Sequence, residues 1–245
     1  MISLIVNEYK KIKASKIIIS ACLIIVSIYI LIYLNKDMSG IELFNLIYRF
    51  IPFLGILICV LFAGIVNNEV NKGTFRYYLT KPYYRSKVII SKLLFVYLYI
   101  AFIYFVTLVS FIIFVNVFST LVIDINMILL VFRHFIPIFF IGTLCVLLST
   151  FINSLALCTS ILFLICLLST LVSQLLFSVG LNIIEYTFLP YVDFSLFVNN
   201  DFAISVRENY GVVLSMSKGI IILIFHSVLF IFLMINFFTK KDIKY

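Results

Sequence analysis

The chain has 245 residues, 64% of them apolar and only 11% charged, with a mean hydropathy of +1.25 and a net charge of +8. Soluble domains hold about 45–50% apolar and about 25% charged residues, so no water-soluble fold of this length could bury so much apolar surface. The class is an integral membrane protein, and the excess of Lys and Arg is read through membrane topology rather than as a nucleic-acid interface.

Residues 1–16 open the chain. Ile2, Ile5, Val6, Tyr9 and Ile12 recur at offsets of three and four, while Asn7, Lys10, Lys11 and Ala14 fall elsewhere on the wheel. The pattern predicts an amphipathic helix lying in the membrane interface. A basic flank of the first span is the alternative. The first span covers 17–34. At about 1.5 Å per residue it reaches roughly 27 Å, close to a hydrocarbon core. No small-x-small site precedes Asn35-Lys36-Asp37, so a cleavable signal peptide is not expected.

The second span covers 44–66, with Arg49 in its first turns, either snorkelling outward or lining a substrate path. A polar, basic segment follows over 67–92. Further spans are predicted at 93–118, 127–152, 155–179 and 219–238. Asn153-Ser154 is a very tight turn between the fourth and fifth. Residues 180–218 are too apolar for a solvated loop, and short re-entrant-like helices packed on protein are expected there. The expected fold is therefore all-α: six transmembrane helices in a single domain, 1–245.

Six spans place both termini on one side. Thirteen of the eighteen Lys and Arg residues fall on that side, against Glu8, Glu69 and Asp242. The other side keeps Lys36, Arg49, Arg133, Arg207 and Lys218 against seven acids. The positive-inside rule puts both termini and the 67–92 segment in the cytoplasm. The abundance of Phe, Ile, Asn and Lys and the absence of Trp fit an AT-rich bacterial genome.

Catalytic chemistry is not visible. His134 and His226 lie in different spans, and packed or hydrogen-bonded imidazoles account for them at least as well as function. Lys72-Gly73-Thr74 resembles the tail of a phosphate loop, but the upstream glycine and strand are missing, so no ATP site is expected in this chain. Cys22, Cys59, Cys145, Cys158 and Cys166 all fall in apolar runs without CxxC or metal-ligand spacing. They read as small apolar packers, and neither a metal site nor a disulfide is expected.

The segment after the second span has an internal order. Glu69 closes the span, Gly73 permits a turn, Thr74 can cap a short helix, and Phe75, Tyr78 and Leu79 share one face of it. Pro82 stops that helix, Ser86 can cap the next, and Lys92 opens the third span. A short helix with an aromatic-aliphatic face and basic edges is shaped to enter a groove on a cytoplasmic partner.

Glu69, Gly73-Thr74, Leu79, Pro82, Arg85 and Lys92, with the six-span topology, resemble the ABC (ATP-binding-cassette) type-2 permeases. That resemblance implies two permease subunits, as a homodimer or a heterodimer, and two copies of a separate cytoplasmic ATPase that binds ATP and Mg. It implies that Thr74–Leu79 is the coupling helix seated in the ATPase, and that Glu69 and Arg85 pair to brace the loop. It implies a pathway lined by spans two and five, with Ser169, Ser173 and Gln174 as its polar positions besides Arg49. A hydrophobic or amphipathic cargo suits so apolar a wall, with antimicrobial or toxic peptide export as the leaning. Drug or sodium-linked efflux is the alternative, and a sensor or scaffold without transport activity is the rival from another class.

Overall fold

The structure, a computed structural model, describes residues 2–11, 51–71, 84–118, 135–192 and 201–240. Every regular element among them is helical: α1 (Ile2–Lys11), α2 (Ile51–Phe62), α3 (Asn67–Asn71), α4 (Arg85–Phe118), α5 (Phe135–Phe151), α6 (Leu155–Ser178), α7 (Asp201–Tyr210) and α8 (Met216–Lys240). Two 3₁₀ turns, Asn182–Tyr186 and Leu189–Tyr191, lie between α6 and α7. Arg85–Ser110 within α4, all of α6 and all of α8 are long and apolar enough to cross a membrane, while α5 and the α2–α3 stretch are shorter apolar helices. In a bilayer each spanning segment must satisfy its own backbone, which a helix does and an open sheet edge does not.

Helix α5 is the centre. It packs against α2, α4, α6 and α8, and its side chains from Pro137 to Thr150 are buried apart from half-buried Phe139 and Leu148. A helix apolar all round and covered all round is the core of a bundle. Helix α4 is two-faced. Val88, Val96, Ile100 and Ile103 turn inward, and Leu94, Leu98, Phe102 and Phe105 turn outward at helical spacing. The outward strip is apolar because its solvent is lipid rather than water. Gly142 of α5 lets α4 come close: a Cβ there would lie 2.6 Å from Ile100 Cδ1. Phe62 docks edge-on against Tyr99, ring centroids 4.9 Å apart, and holds α2 to α4. Hydroxyls inside the helices return to their own backbone, as Thr143 does to Phe139 O and Ser227 to Leu223 O.

The tight α5–α6 turn is capped by Ser154, whose hydroxyl accepts from Leu157 N–H. Helix α6 ends in a left-handed residue, Gly180 at φ 82°, with Leu181 N–H donating to Leu176 O and Gly180 N–H to Phe177 O. That paired arrangement satisfies the last carbonyls and turns the chain. Beyond it the chain packs back on protein, as its composition requires. Ile184, Pro190, Tyr191, Phe202 and Val206 are buried. Phe188 reaches Phe140 of α5 and His226 and Phe230 of α8. Lys218 at the start of α8 pairs with Glu185 at 2.9 Å and covers the Tyr186 ring, fastening this segment to the bundle.

Candidate functional site

The polar structure of the bundle gathers at the end where α1, α3 and the first turns of α4 meet. Lys92 stands two turns into α4 and is fully buried. Its Nζ lies 3.0 Å from Glu8 Oε1 of α1 and 2.8 Å from Glu69 Oε2 of α3. It also donates to Ile65 O at 3.1 Å. One ammonium therefore binds three separate segments. Taking such charges out of water costs several kcal/mol per ion, so they persist only with well-placed partners. Two carboxylates and a carbonyl around one –NH₃⁺ match its three donors.

Ile65 O is available because the second span breaks there. Helix α2 stops at Phe62, residues 63–66 form a turn, and α3 resumes at Asn67. Ser149 Oγ of α5 enters this break and accepts from Val66 N–H at 2.9 Å and Asn67 N–H at 3.2 Å. A side chain inserted into the backbone ladder is a recognised cause of a helix break. Two amides complete the joint: Asn67 Nδ2 donates to Ile152 O at 3.3 Å, and Asn71 Nδ2 to Asn153 O at 2.8 Å. Arg85, at the other edge of segment 72–83, donates from Nη1 to Thr239 O in the last turn of α8. A cation at a helix C-terminus also faces the negative end of its dipole.

Glu69 meets Lys92, and Arg85 reaches Thr239 O of α8. Leu4 and Glu8 form the inward face of α1, at 2% and 4% exposure, with Ile5 half-buried against the core beside them. Val6 and Tyr9 are 44% and 54% exposed and face away from the bundle, because the ion pair with Lys92 sets the rotation of the helix. Ser169 and Ser173 lie on the buried face of α6, and Gln174 beside them is half-buried. Ser173 donates to Thr170 O on its own helix. Ser169 Oγ is buried and has no hydrogen-bond partner among the described residues. Arg49, Gly73, Thr74, Phe75, Tyr78, Leu79 and Pro82, with Arg133 and His134, lie outside the described residues.

His226 Nδ1 is 2.8 Å from Ile222 O, a hydrogen-bonded imidazole within α8 ringed by Phe188, Phe225 and Phe230. Sequence reasoning missed Glu8, Asn67, Asn71 and Ser149. For Glu8 a signal existed: it is the single acid in a basic stretch and sits four residues after Leu4. No arrangement of His, Cys, Asp and Glu suited to a metal ion occurs among the described residues.

Comparison with curated proteins finds no match. A family model described as ABC-2 family transporter protein matches residues 4–243, nearly the whole chain, and the chain belongs to that family of ABC-transporter membrane components.

Proposed function

We propose that this permease component carries a hydrophobic or amphipathic substrate out of a bacterial cell, and that the Lys92 junction transmits the stroke of its ABC ATPase to the membrane helices. In this reading two permease chains, identical or paired with a relative, sit on two ATPase subunits that bind ATP and Mg. The basic end is cytoplasmic. Segment 72–83 carries the coupling helix, with Gly73, Thr74, Phe75, Tyr78, Leu79 and Pro82 forming and bounding it. Helix α1 lies in the membrane interface beside it.

The observation that carries the reading is one ammonium tying both edges of that segment to α1. Glu69 stands before the segment and Lys92 after it, and Glu8 shares the same charge. A push on segment 72–83 is thereby passed to the second and third spans together. The kinked α2–α3 joint, anchored on Ser149 at the end of α5, carries the same displacement into the central helix. Ser169, Ser173 and Gln174 are the polar positions of the cargo path in this scheme.

The test is ATP hydrolysis by the complex reconstituted in lipid vesicles, measured across antimicrobial peptides, lipophilic drugs and sodium. Peptide stimulation is expected, with stimulation lost in Lys92→Met while the two subunits still co-purify. Hydrolysis indifferent to Lys92 overturns the transmission role. Failure to recover an ATPase with the chain overturns the exporter reading itself.

A further inference from the structure

Three cysteines far apart in sequence converge inside the bundle. Cys59 Sγ of α2 lies 3.6 Å from Cys166 Sγ of α6 and 3.9 Å from Cys145 Sγ of α5. Cys59 and Cys145 are buried, while Cys166 is half-buried among the lipid-facing residues Ile161, Leu164 and Leu168 of its helix. Gly55, one turn before Cys59, leaves room on α2 for Ile141 of α5 and borders Cys166. A Cβ at Gly55 would stand 3.9 Å from Cys166 Sγ and 2.8 Å from Ile141 Cδ1. Cys166 thus lies over a notch of small residues on α2, with one thiol buried beneath it and its own sulfur nearer the lipid.

We propose that Cys166 and Cys59 form a dithiol site for small apolar disulfides that partition into the bilayer, and that closing it pins α2 to α6. The step balances without an additional oxidant. Cys166 sulfur attacks one sulfur of the reagent, the reagent S–S bond breaks, and the first thiol fragment leaves with the proton of Cys166. Cys59 sulfur then attacks Cys166 sulfur, a protein S–S bond forms, and the second fragment leaves with the proton of Cys59. The reagent disulfide takes up two electrons and is reduced to two thiols, and the two cysteines are oxidised to one disulfide. Closing the pair from 3.6 Å to about 2.05 Å needs a small shift of two side chains on adjacent helices. Cys145 is farther from Cys59 than Cys166 is and is fully covered, so it is neither the entry thiol nor the preferred partner.

A bond between α2 and α6 joins the helix that leads through residues 63–66 into the Lys92 junction to the helix that carries Ser169 and Ser173. The effect on transport rests on the exporter reading, whereas the dithiol chemistry does not. The probe is 2,2′-dipyridyl disulfide, applied to the complex in vesicles with Cys22→Ala and Cys158→Ala removing two other thiols. Two pyridine thiones released per reagent consumed, a Cys59–Cys166 peptide on mass mapping, and a fall of about tenfold in stimulated hydrolysis reversed by dithiothreitol are expected, as for a conformational step made limiting. Cys59→Ala should stop the reaction at a mixed disulfide on Cys166 with one thione, and Cys145→Ala should change nothing.

A stable mixed disulfide in the chain that retains both cysteines, or a Cys59–Cys145 link, overturns the site. A complete cross-link with unchanged hydrolysis overturns the pinning. Absent stimulation before any reagent counts against the exporter reading alone, since the thione count and the peptide map still decide the dithiol site.

Discussion

Lys92 is a buried charge held by two carboxylates and a backbone carbonyl. Lys92→Met removes the ammonium and leaves Glu8 and Glu69 facing a dry site, a loss on the order of 3–5 kcal/mol for breaking a buried pair from one side. Glu8→Gln keeps a hydrogen-bonding group beside Lys92 and should cost less, about 1–3 kcal/mol. Thermal unfolding of the purified complex ranks the two. The variant that separates the roles is the triple Glu8→Leu, Glu69→Leu, Lys92→Met, since replacing a whole buried ionic cluster by apolar side chains is often neutral or stabilising. It should recover the melting temperature of the unaltered chain while substrate-stimulated hydrolysis stays lost. Recovery of both would reduce the junction to a brace.

At the scale of elements, α4 and α5 cross closely at Gly142. Gly142→Ala drives a Cβ into Ile100 Cδ1, and Val96 Cγ1 is 3.2 Å away, so both side chains must shift to admit it. Overpacking of this kind costs about 1–3 kcal/mol. Adding Ile100→Val vacates the contested volume and should restore most of the stability, which detergent-solubilised melting curves can check. The segment between α6 and α8 gives a pH-dependent counterpart. The hydrogen bond from Lys218 holds the Glu185 carboxyl below its ordinary 4.5, against the smaller opposing effect of burial. A depressed carboxylate adds stability that is present above that ordinary value and is lost as the pH falls through the folded one. Limited proteolysis between Gly180 and Ser217 should therefore accelerate in acid below pH 4.5, and Glu185→Gln should be fast at every pH.

These two elements also mark what sequence could convey. The α5–α6 turn was legible because Asn153-Ser154 interrupts two apolar runs, and Ser154 is the cap that interruption suggests. The break in the second span was not. It follows from Ser149, more than eighty residues away, entering the ladder, and nothing local to 63–66 except Gly64 announces it. Likewise Glu69 and Lys92 stand out as charges beside apolar spans, but which cation meets which anion is decided by how helices pack. Arg85 is nearer to Glu69 in sequence, yet Lys92 lies two turns farther along α4, where the helix faces α1 and α3. On α1 the apolar periodicity describes a strip with Val6 and Tyr9 exposed, and its one acid turns toward protein.

For the molecule as a whole, orientation decides whether the Lys92 junction can meet an ATPase at all. Glu8–Lys92, Asn71–Asn153 and Arg85–Thr239 place α1, α3, the start of α4, the α5–α6 turn and the end of α8 at one end of the bundle. Among the described residues that end carries Lys10, Arg85, Lys87, Lys92 and Lys240, and the negative inner-leaflet surface attracts such charge. Glu185 and Lys218 lie at the other end. Lys10 and Glu208 are both exposed, one on each side of this division, and suit single-cysteine reporters. The native thiols Cys59, Cys145 and Cys158 are buried and Cys166 is half-buried, so a water-soluble maleimide reads the reporter over a low background in Cys22→Ala. On intact cells Glu208→Cys should label and Lys10→Cys should not; permeabilised cells should label both. The reverse pattern would put the junction outside, beyond the reach of a cytoplasmic ATPase, and the transmission mechanism would fall with it. Labelling of both on intact cells would mean that the chain inserts in two orientations, and the charge asymmetry would then be too weak to fix the topology on which that mechanism depends.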